Sequence, residues 1–290
     1  MASSKAKKKK MVYLVVVILV ILMIAFLYIN NNYLTVSEYQ ISNCEIPKEF
    51  DGYKIVQLSD LHSKYFGEKQ ENLIKKVDEL KPNIVVLTGD LYDERTNDDE
   101  SSINAAVDLI SELSKRYDIY YVTGNHENSS DYHYDFEEKM KEFNNVYHLK
   151  GDKIVLSKGS SEIYLQGVED ISFSYNRKKY YKDLIEMSDN SKVGYNILLS
   201  HRPYMIEDFL TDSNFDLIFC GHNHGGQIAI PFILPNGVYS PSEEWFPKYT
   251  KGHHILDDND LILNRGLGSS KFPFRIFNFP EIVCVELKSE

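Results

Sequence analysis

Cysteine is scarce in this sequence: Cys44, Cys220 and Cys284 are the only three in 290 residues. They are too few and too scattered for a disulfide framework or a zinc knuckle. Cys220 closes an apolar run and reads as a small core hydrophobe. No internal repeat or low-complexity stretch stands out beyond a lysine cluster, and no twin arginine occurs. Positive charge is also short once that cluster is set aside. Five lysines fall in residues 1–10, without an acid, which leaves 27 basic against 43 acidic residues in the remainder, a net of −16. A body that acidic is a poor binder of nucleic acid through phosphate contacts, and no specific nucleic-acid partner is expected. Phosphorylated substrates stay compatible with it where bound cations reverse the sign locally.

The longest absence is of charge itself. Met11 to Ile29 is nineteen consecutive apolar or aromatic residues. As a helix it spans roughly 28 Å, close to the ~30 Å hydrocarbon core of a bilayer. A cleaved signal peptide is the rival reading. The run exceeds an h-region of about 7–15 residues, and Asn30, Asn31, Asn32 and Tyr33 offer no small-residue cleavage site. Residues 1–10 are therefore expected as a basic cytoplasmic tail and 11–29 as a single-pass cell-membrane anchor. Residues 30–50 are expected as a linker with an early strand, and 51–290 as an extracytoplasmic catalytic domain, oriented by the positive-inside rule.

Beyond the anchor the chain has globular composition, 43% hydrophobic and 26% charged. Short apolar runs alternate with amphipathic stretches. Strands are expected at 36–41, 54–58, 84–87 and 119–122. Later ones fall at 154–156, 163–166, 196–199, 217–219, 227–230, 254–256, 261–264 and 282–287. Leu73, Ile74, Val77 and Leu80 share one helical face within 69–80, and Ile103, Ala106, Val107, Ile110 and Leu113 share another. A further helix is expected near 136–143. This alternation predicts βαβ units and an α/β sandwich with two facing sheets.

Chemistry gathers where the strands end. Asp60 and His62 follow the first strand of the catalytic body as Ser-Asp-Leu-His, and Asp90 follows the next as Thr-Gly-Asp-Leu. Asn125 and His126 follow the third as Thr-Gly-Asn-His-Glu. His201 and then His222 and His224, in GHNHGGQ, follow two later ones. Ligand sites in open α/β sheets lie outside the carboxyl ends of strands, so five such runs predict one convergent site. A lone Asp or His at a strand end is usually a cap or turn residue; five in this order are not explained that way. Imidazole with carboxylate suits divalent ions such as Mn, Fe or Zn. Seven donors (Asp60, His62, Asp90, Asn125, His201, His222, His224) exceed what one ion takes, whereas two ions about 3.5–4 Å apart can share them. Glycines before Asp90, Asn125 and His222 permit close backbone approach. His133, His148, His253 and His254 fall outside the patterns and are read as surface or substrate-contact residues.

With these motifs the sequence resembles the calcineurin-like metallophosphoesterase superfamily, whose pattern is DxH, GD, GNH, H and GHxH. The likeness covers about Lys54 to Leu287. LSDLH, GHNHGGQ and the NRGLGSS…PFRIFNFPEI stretch at 264–282 are similar to its bacterial branch of membrane-anchored phosphodiesterases. The resemblance implies a four-layer α-β-β-α sandwich and a dinuclear centre. By position, Asp60, His62 and His224 bind the first metal, Asp90 bridges, and Asn125, His201 and His222 bind the second. His126 stands beside them as catalytic acid or charge stabiliser. Asp93 lies where some members pair an acid with that histidine, although the arginine that often follows is Glu94 here.

Two cations acidify a water and neutralise phosphoryl oxygens, so the expected activity is hydrolysis of a phosphate ester, a diester before a monoester. A phosphomonoesterase, a nucleotide-lipid pyrophosphatase and a non-catalytic metal-binding module are the alternatives. A dinuclear amidohydrolase or β-lactamase-like hydrolase requires HxH early or HxHxDH, and neither is present. Location favours a lipid-linked or cell-envelope substrate. Trp245, Phe246 and Tyr249, with Phe232, Ile233 and Leu234, read either as ordinary core or as a rim touching acyl chains or membrane.

Overall fold

The computed structural model describes residues 2–93, 100–173, 182, 184–188, 193–203, 213–241, 244–256, 259–270 and 272–290. Lys54–Leu58 (β2), Ile84–Thr88 (β3) and Asp118–Val122 (β4) are short β-branched and aromatic runs, buried along almost their whole length. Strands buried on both faces belong inside a parallel sheet, and these three pair in parallel in that order. Val146–His148 (β5) adds a parallel edge beyond β4. On the other side, Glu281–Ser289 (β14) pairs antiparallel with β2 and parallel with Thr35–Asn43 (β1), so the order is β1-β14-β2-β3-β4-β5.

The second sheet has six strands as well: Lys153–Lys158 (β6), Ser161–Gly167 (β7), Asn196–Leu199 (β8), Leu217–Cys220 (β9), Gly252–Leu256 (β12) and Asn259–Leu263 (β13). Their order is β12-β13-β9-β8-β7-β6. Tyr239–Ser240 (β10) and Glu244–Trp245 (β11) form a separate two-stranded ladder.

Three apolar layers hold this together. Ile41, Ile55, Val86 and Val283 of the first sheet meet Leu165, Ile197, Phe219 and Ile262 of the second, all nearly inaccessible to water. Glu71–Leu80 (α2), Asn104–Leu113 (α3) and, after the short Asn125–Ser129 helix (α4), His133–Met140 (α5) cover the outer face of the first sheet through Leu73, Val77, Ala106, Leu109, Ile110 and Phe136. Leu184 and Met187, in a helical stretch, cover the second sheet's outer face together with Phe215, against Leu198 and Ile218. The result is the expected sandwich of two sheets with helices outside.

The remaining long helix, Ala2–Asn32 (α1), is long and apolar enough to cross a membrane. Met11 to Ile24 stay at least 44% exposed. Its end is different. Asn30, Asn31 and Asn32 donate side-chain hydrogen bonds to the carbonyls four residues back. Asn30 Oδ1 accepts from the Phe277 N–H (2.6 Å) and Asn31 Oδ1 from that of Arg275 (3.0 Å). Lys64 donates to the Asn31 carbonyl. The segment expected as linker and early strand holds this docked helix end and β1, which pairs with β14 along nine residues.

Two expectations need correction. Gln227 to Ile230 forms no strand, only bridges from Ile228 to Ile276 and from Ile230 to Leu234. Gly225, Gly226 and Gln227 all have positive φ, and Pro231 lacks a donor, so the backbone turns instead of extending. The helix expected near 136–143 is α5, which runs 133–140; Lys141 and Glu142 already form a turn.

Candidate metal centre

Both sheets aim the carboxyl ends of their central parallel strands at one place. Gln57, at the end of β2, donates to Thr88 Oγ1 of β3 (2.8 Å) and to the Cys220 carbonyl of β9 (2.9 Å), which pins the two sheets together beneath the site. Above that pin the loops interlock: the Asp60 N–H bonds Gly89 O, the His62 N–H bonds Asp90 O, and the Gly221 N–H bonds His201 O.

Donors gather on this platform in overlapping groups. Asp60, His62, Asp90 and His224 bring ligand atoms within 4.8 Å of one another, and so do Asp90, His201 and His222. Asp90 Oδ2 is common to both: it lies 3.2 Å from His201 Nε2 and 3.8 Å from His62 Nε2. His224 Nε2 stands 3.4 Å from Asp60 Oδ1 and 3.1 Å from His62 Nε2. His222 Nδ1 is 3.0 Å from His201 Nε2. Asn125 is tied in through its neighbour, since the His126 N–H donates to Asp90 Oδ1 at 2.9 Å.

These residues fit a pair of divalent ions. Burial holds His222 and His224 well below the usual imidazole range, so they are neutral and keep a lone pair for a metal. Burial would raise Asp90, but the bond and charge of His201, then His126 and His62, hold its carboxyl well below the normal range. His201 moves the opposite way, up to about 10, because the Asp90 carboxylate outweighs burial. Asn125 Oδ1 is buried with no hydrogen-bond partner. Two imidazole nitrogens 3.1 Å apart and a buried orphan carbonyl are an arrangement that cations, not packing, make favourable.

The backbone carries a second sign. Asp60, His62, Asp90, His222 and His224 all have φ between 48° and 69°. That left-handed conformation costs a non-glycine residue about 1–3 kcal/mol and persists only where its surroundings over-determine it. Gly89 has φ of +85°, and a Cβ there would lie 2.8 Å from His201 Nδ1 and 2.5 Å from the Gly124 nitrogen. Only glycine lets β3 and β4 bring Asp90 and Asn125 this close.

Other residues shape the centre, and two of them, Glu127 and Arg275, carry no obvious sequence signal. Glu127 is buried and turns its carboxylate inward to accept from the N–H groups of Asp90 (3.0 Å), Leu91 (2.6 Å) and Gly124 (2.8 Å). Arg275 is fully buried; it donates to the Gly268 and Arg265 carbonyls and lies 3.4 Å from His224 Nδ1. Asp93 faces two rings, His62 Nδ1 at 3.4 Å and His126 Nδ1 at 3.5 Å. Glu94 lies outside the described residues. His126 Nε2 points toward Asp90 Oδ2 at 3.9 Å, and its side chain is 13% exposed where Asp90 and His62 are 2%. Of the four histidines outside the motifs, His253 bonds Asp260, His254 approaches the Lys251 carbonyl, and His133 and His148 each face Glu137.

Comparison with known proteins gives this geometry a lineage. Residues 53–226 match the family model described as calcineurin-like phosphoesterase. The chain is 30% identical to the uncharacterized metallophosphoesterase YkuE of Bacillus subtilis, over 90% of this chain and 88% of that one. It is 27% identical to the uncharacterized metallophosphoesterase YkoQ of the same organism, over 79% and 81%. A zebrafish (Danio rerio) transmembrane protein with a metallophosphoesterase domain is 25% identical over 87% of this chain and 57% of its own length.

Proposed function

The chain belongs to the calcineurin-like phosphoesterase family, hydrolases of phosphoric esters that use two divalent metal ions, and from that premise we propose that it cleaves phosphodiesters at the outer face of a cell membrane. The observation that carries this reading is the Asp90 carboxylate shared by two donor groups with His126 beside it on the open side. Asp60, His62 and His224 would hold one ion, Asn125, His201 and His222 the other, with Asp90 common to both. The ions supply an acidified water and a positive field over the phosphoryl oxygens.

The protein's own groups do the rest. Glu127, on three backbone N–H groups, fixes the loops that carry Asp90 and Asn125. Arg275 fixes the His224 ring. His126, held through Nδ1 by Asp93, presents Nε2 to the leaving oxygen and gives it a proton, or stabilises its charge. Among the described residues the cations near the centre are engaged: Arg275 bonds backbone carbonyls, and Arg202 pairs with Asp170 at 2.6 Å. That favours a singly charged diester over a dianionic monoester. The five lysines ahead of the apolar helix favour a cytoplasmic N-terminus and an outward-facing domain, where lipid-linked or cell-envelope esters are the available class.

The test is hydrolysis of matched alkyl and aryl diesters and monoesters by the full chain in detergent, with elemental analysis alongside. Diester turnover with about two transition-metal ions per chain is expected. Turnover of monoesters alone, or full activity with one metal or none, refutes the reading. Protease added to intact protoplasts should digest the domain; full protection overturns the topology.

A further inference from the structure

We propose that the catalytic domain makes a second contact with the bilayer its anchor enters, through an apolar lobe formed by Phe232, Ile233, Trp245, Phe246 and Phe277, so that the metal centre is held against the lipid surface. The proposal rests on the reading of α1 as membrane-spanning and extends it to a part of the fold far away in sequence.

Exposure is the first observation. Phe232 is fully exposed, Ile233 is 74% exposed, and Phe246 and Trp245 are 66% and 59% exposed. Core packing is therefore not their role. Scattered apolar residues on a surface need no explanation, whereas a cluster of large ones marks an interaction site.

Continuity with the anchor is the second. Phe277, 48% exposed, packs edge-on against Phe26 of α1 at 5.1 Å, and its N–H bonds Asn30. Phe26 lies inside the apolar run, about one helical turn before its end at Ile29. Phe277 thus shares the depth of a residue within the membrane segment. The next residue back, Ile276, bridges Ile228, and its carbonyl accepts from the Ala229 N–H at 2.9 Å. Ile228 leads directly into the Ile230–Leu234 turn that carries Phe232 and Ile233. The Trp245 lobe joins the same scaffold: Val238 N–H bonds Gly226 O, Phe246 N–H bonds Val238 O, and Tyr239 packs on both Trp245 and Phe272. Aromatic residues bound to the anchor's end in this way match the aromatic belt of a membrane interface. The occupant of this surface is the outer leaflet that surrounds α1.

Trp245 is the sole tryptophan in the chain, which makes the contact readable without labelling. The full protein is reconstituted in phosphatidylcholine–phosphatidylglycerol vesicles with or without brominated acyl chains. Flotation with the vesicles, quenching of Trp245 by the brominated lipid and protection from aqueous iodide are expected. Flotation with no lipid quenching and free iodide access overturns the proposal and leaves the anchor standing; failure to float overturns both. A second arm uses Phe232→Ser with Ile233→Ser, both too exposed to carry the fold. Hydrolysis of a soluble diester should change by less than about twofold, while a diester embedded in vesicles should slow by about tenfold. Equal rates on both substrates before and after substitution refute the proposal. Quenching needs no turnover, so quenched protein that cleaves no diester would sink the proposed activity and spare this surface.

Discussion

Asp90 meets His62, His201 and His126 at one end of the fold, while Glu137, His148 and Glu169 meet at the end of β5 with ligand atoms within 4.8 Å of one another. By residue type the two groups look alike; by physics they differ. The second contains its own cation: Lys150 Nζ lies 2.5 Å from Glu137 and 3.6 Å from Glu169. His148, pushed down to about 3 by burial and then by Lys150, is neutral there and stacks on Tyr121. Its residues are half-buried, and none has a left-handed backbone. At Asp90 six of the seven donors are buried, five are strained, and imidazole nitrogens face each other at 3.0–3.1 Å. A carboxylate–imidazole cluster thus reads as an ion-pair network where a lysine already balances it, and as a metal site where strain and burial go unbalanced.

The largest expected effect comes from Asp90→Asn. A neutral amide is a poor bridge, so metal content should fall below one per chain and turnover of every ester should drop to background; two retained metals would show that Asp90 is not shared. Next is His126→Ala, which should slow alkyl diesters by about 10²–10⁴-fold and nitrophenyl diesters far less, with metals retained. Equal slowing of both would remove the proton-donor role. Asp93→Asn loosens the His126 and His62 rings and should cost about 10–100-fold, the usual range for a residue behind a ligand. A variant as fast as the wild type would separate Asp93 from the centre. At the other cluster, Glu137→Gln should leave metal content and turnover unchanged and shift stability by no more than about 1 kcal/mol in chemical denaturation, because it is a partly exposed pair. Lost metal in that variant would erase the distinction drawn between the two clusters.

What the sequence made legible follows from burial. Strands covered on both faces read as continuous apolar runs, so the ends of β2, β3, β4, β8 and β9 were visible, and the donors follow within a few residues. The faces of α2 and α3 were visible through their 3.6-residue spacing. Glu127 was not, since nothing in Gly-Asn-His-Glu says that its carboxylate turns inward onto three N–H groups. Arg275 was hidden because arginine reads as surface; its burial is set by carbonyls of the loop at 265–268. The false strand at 227–230 arose from an apolar run whose φ angles are dictated by the glycines before it. Exposure of Phe232 and Trp245 lay beyond composition for the same reason: apolarity says what a side chain prefers, not which surface covers it.

One feature of the first sheet bears on how the molecule is made. β14 lies between β1 and β2, and Thr35 pairs with Glu281. β1 follows the apolar helix at once, yet among the described residues its strand neighbour is β14, which is made far later in the chain. Until then β1 is an open edge, and the docking of Asn30 and Asn31 onto residues 275–277 has no surface to meet. Such long-range closure is slow and exposes unpaired strand to aggregation. Folding of the catalytic body and fastening of the anchor to it are therefore one late event, completed only after translation has passed β14.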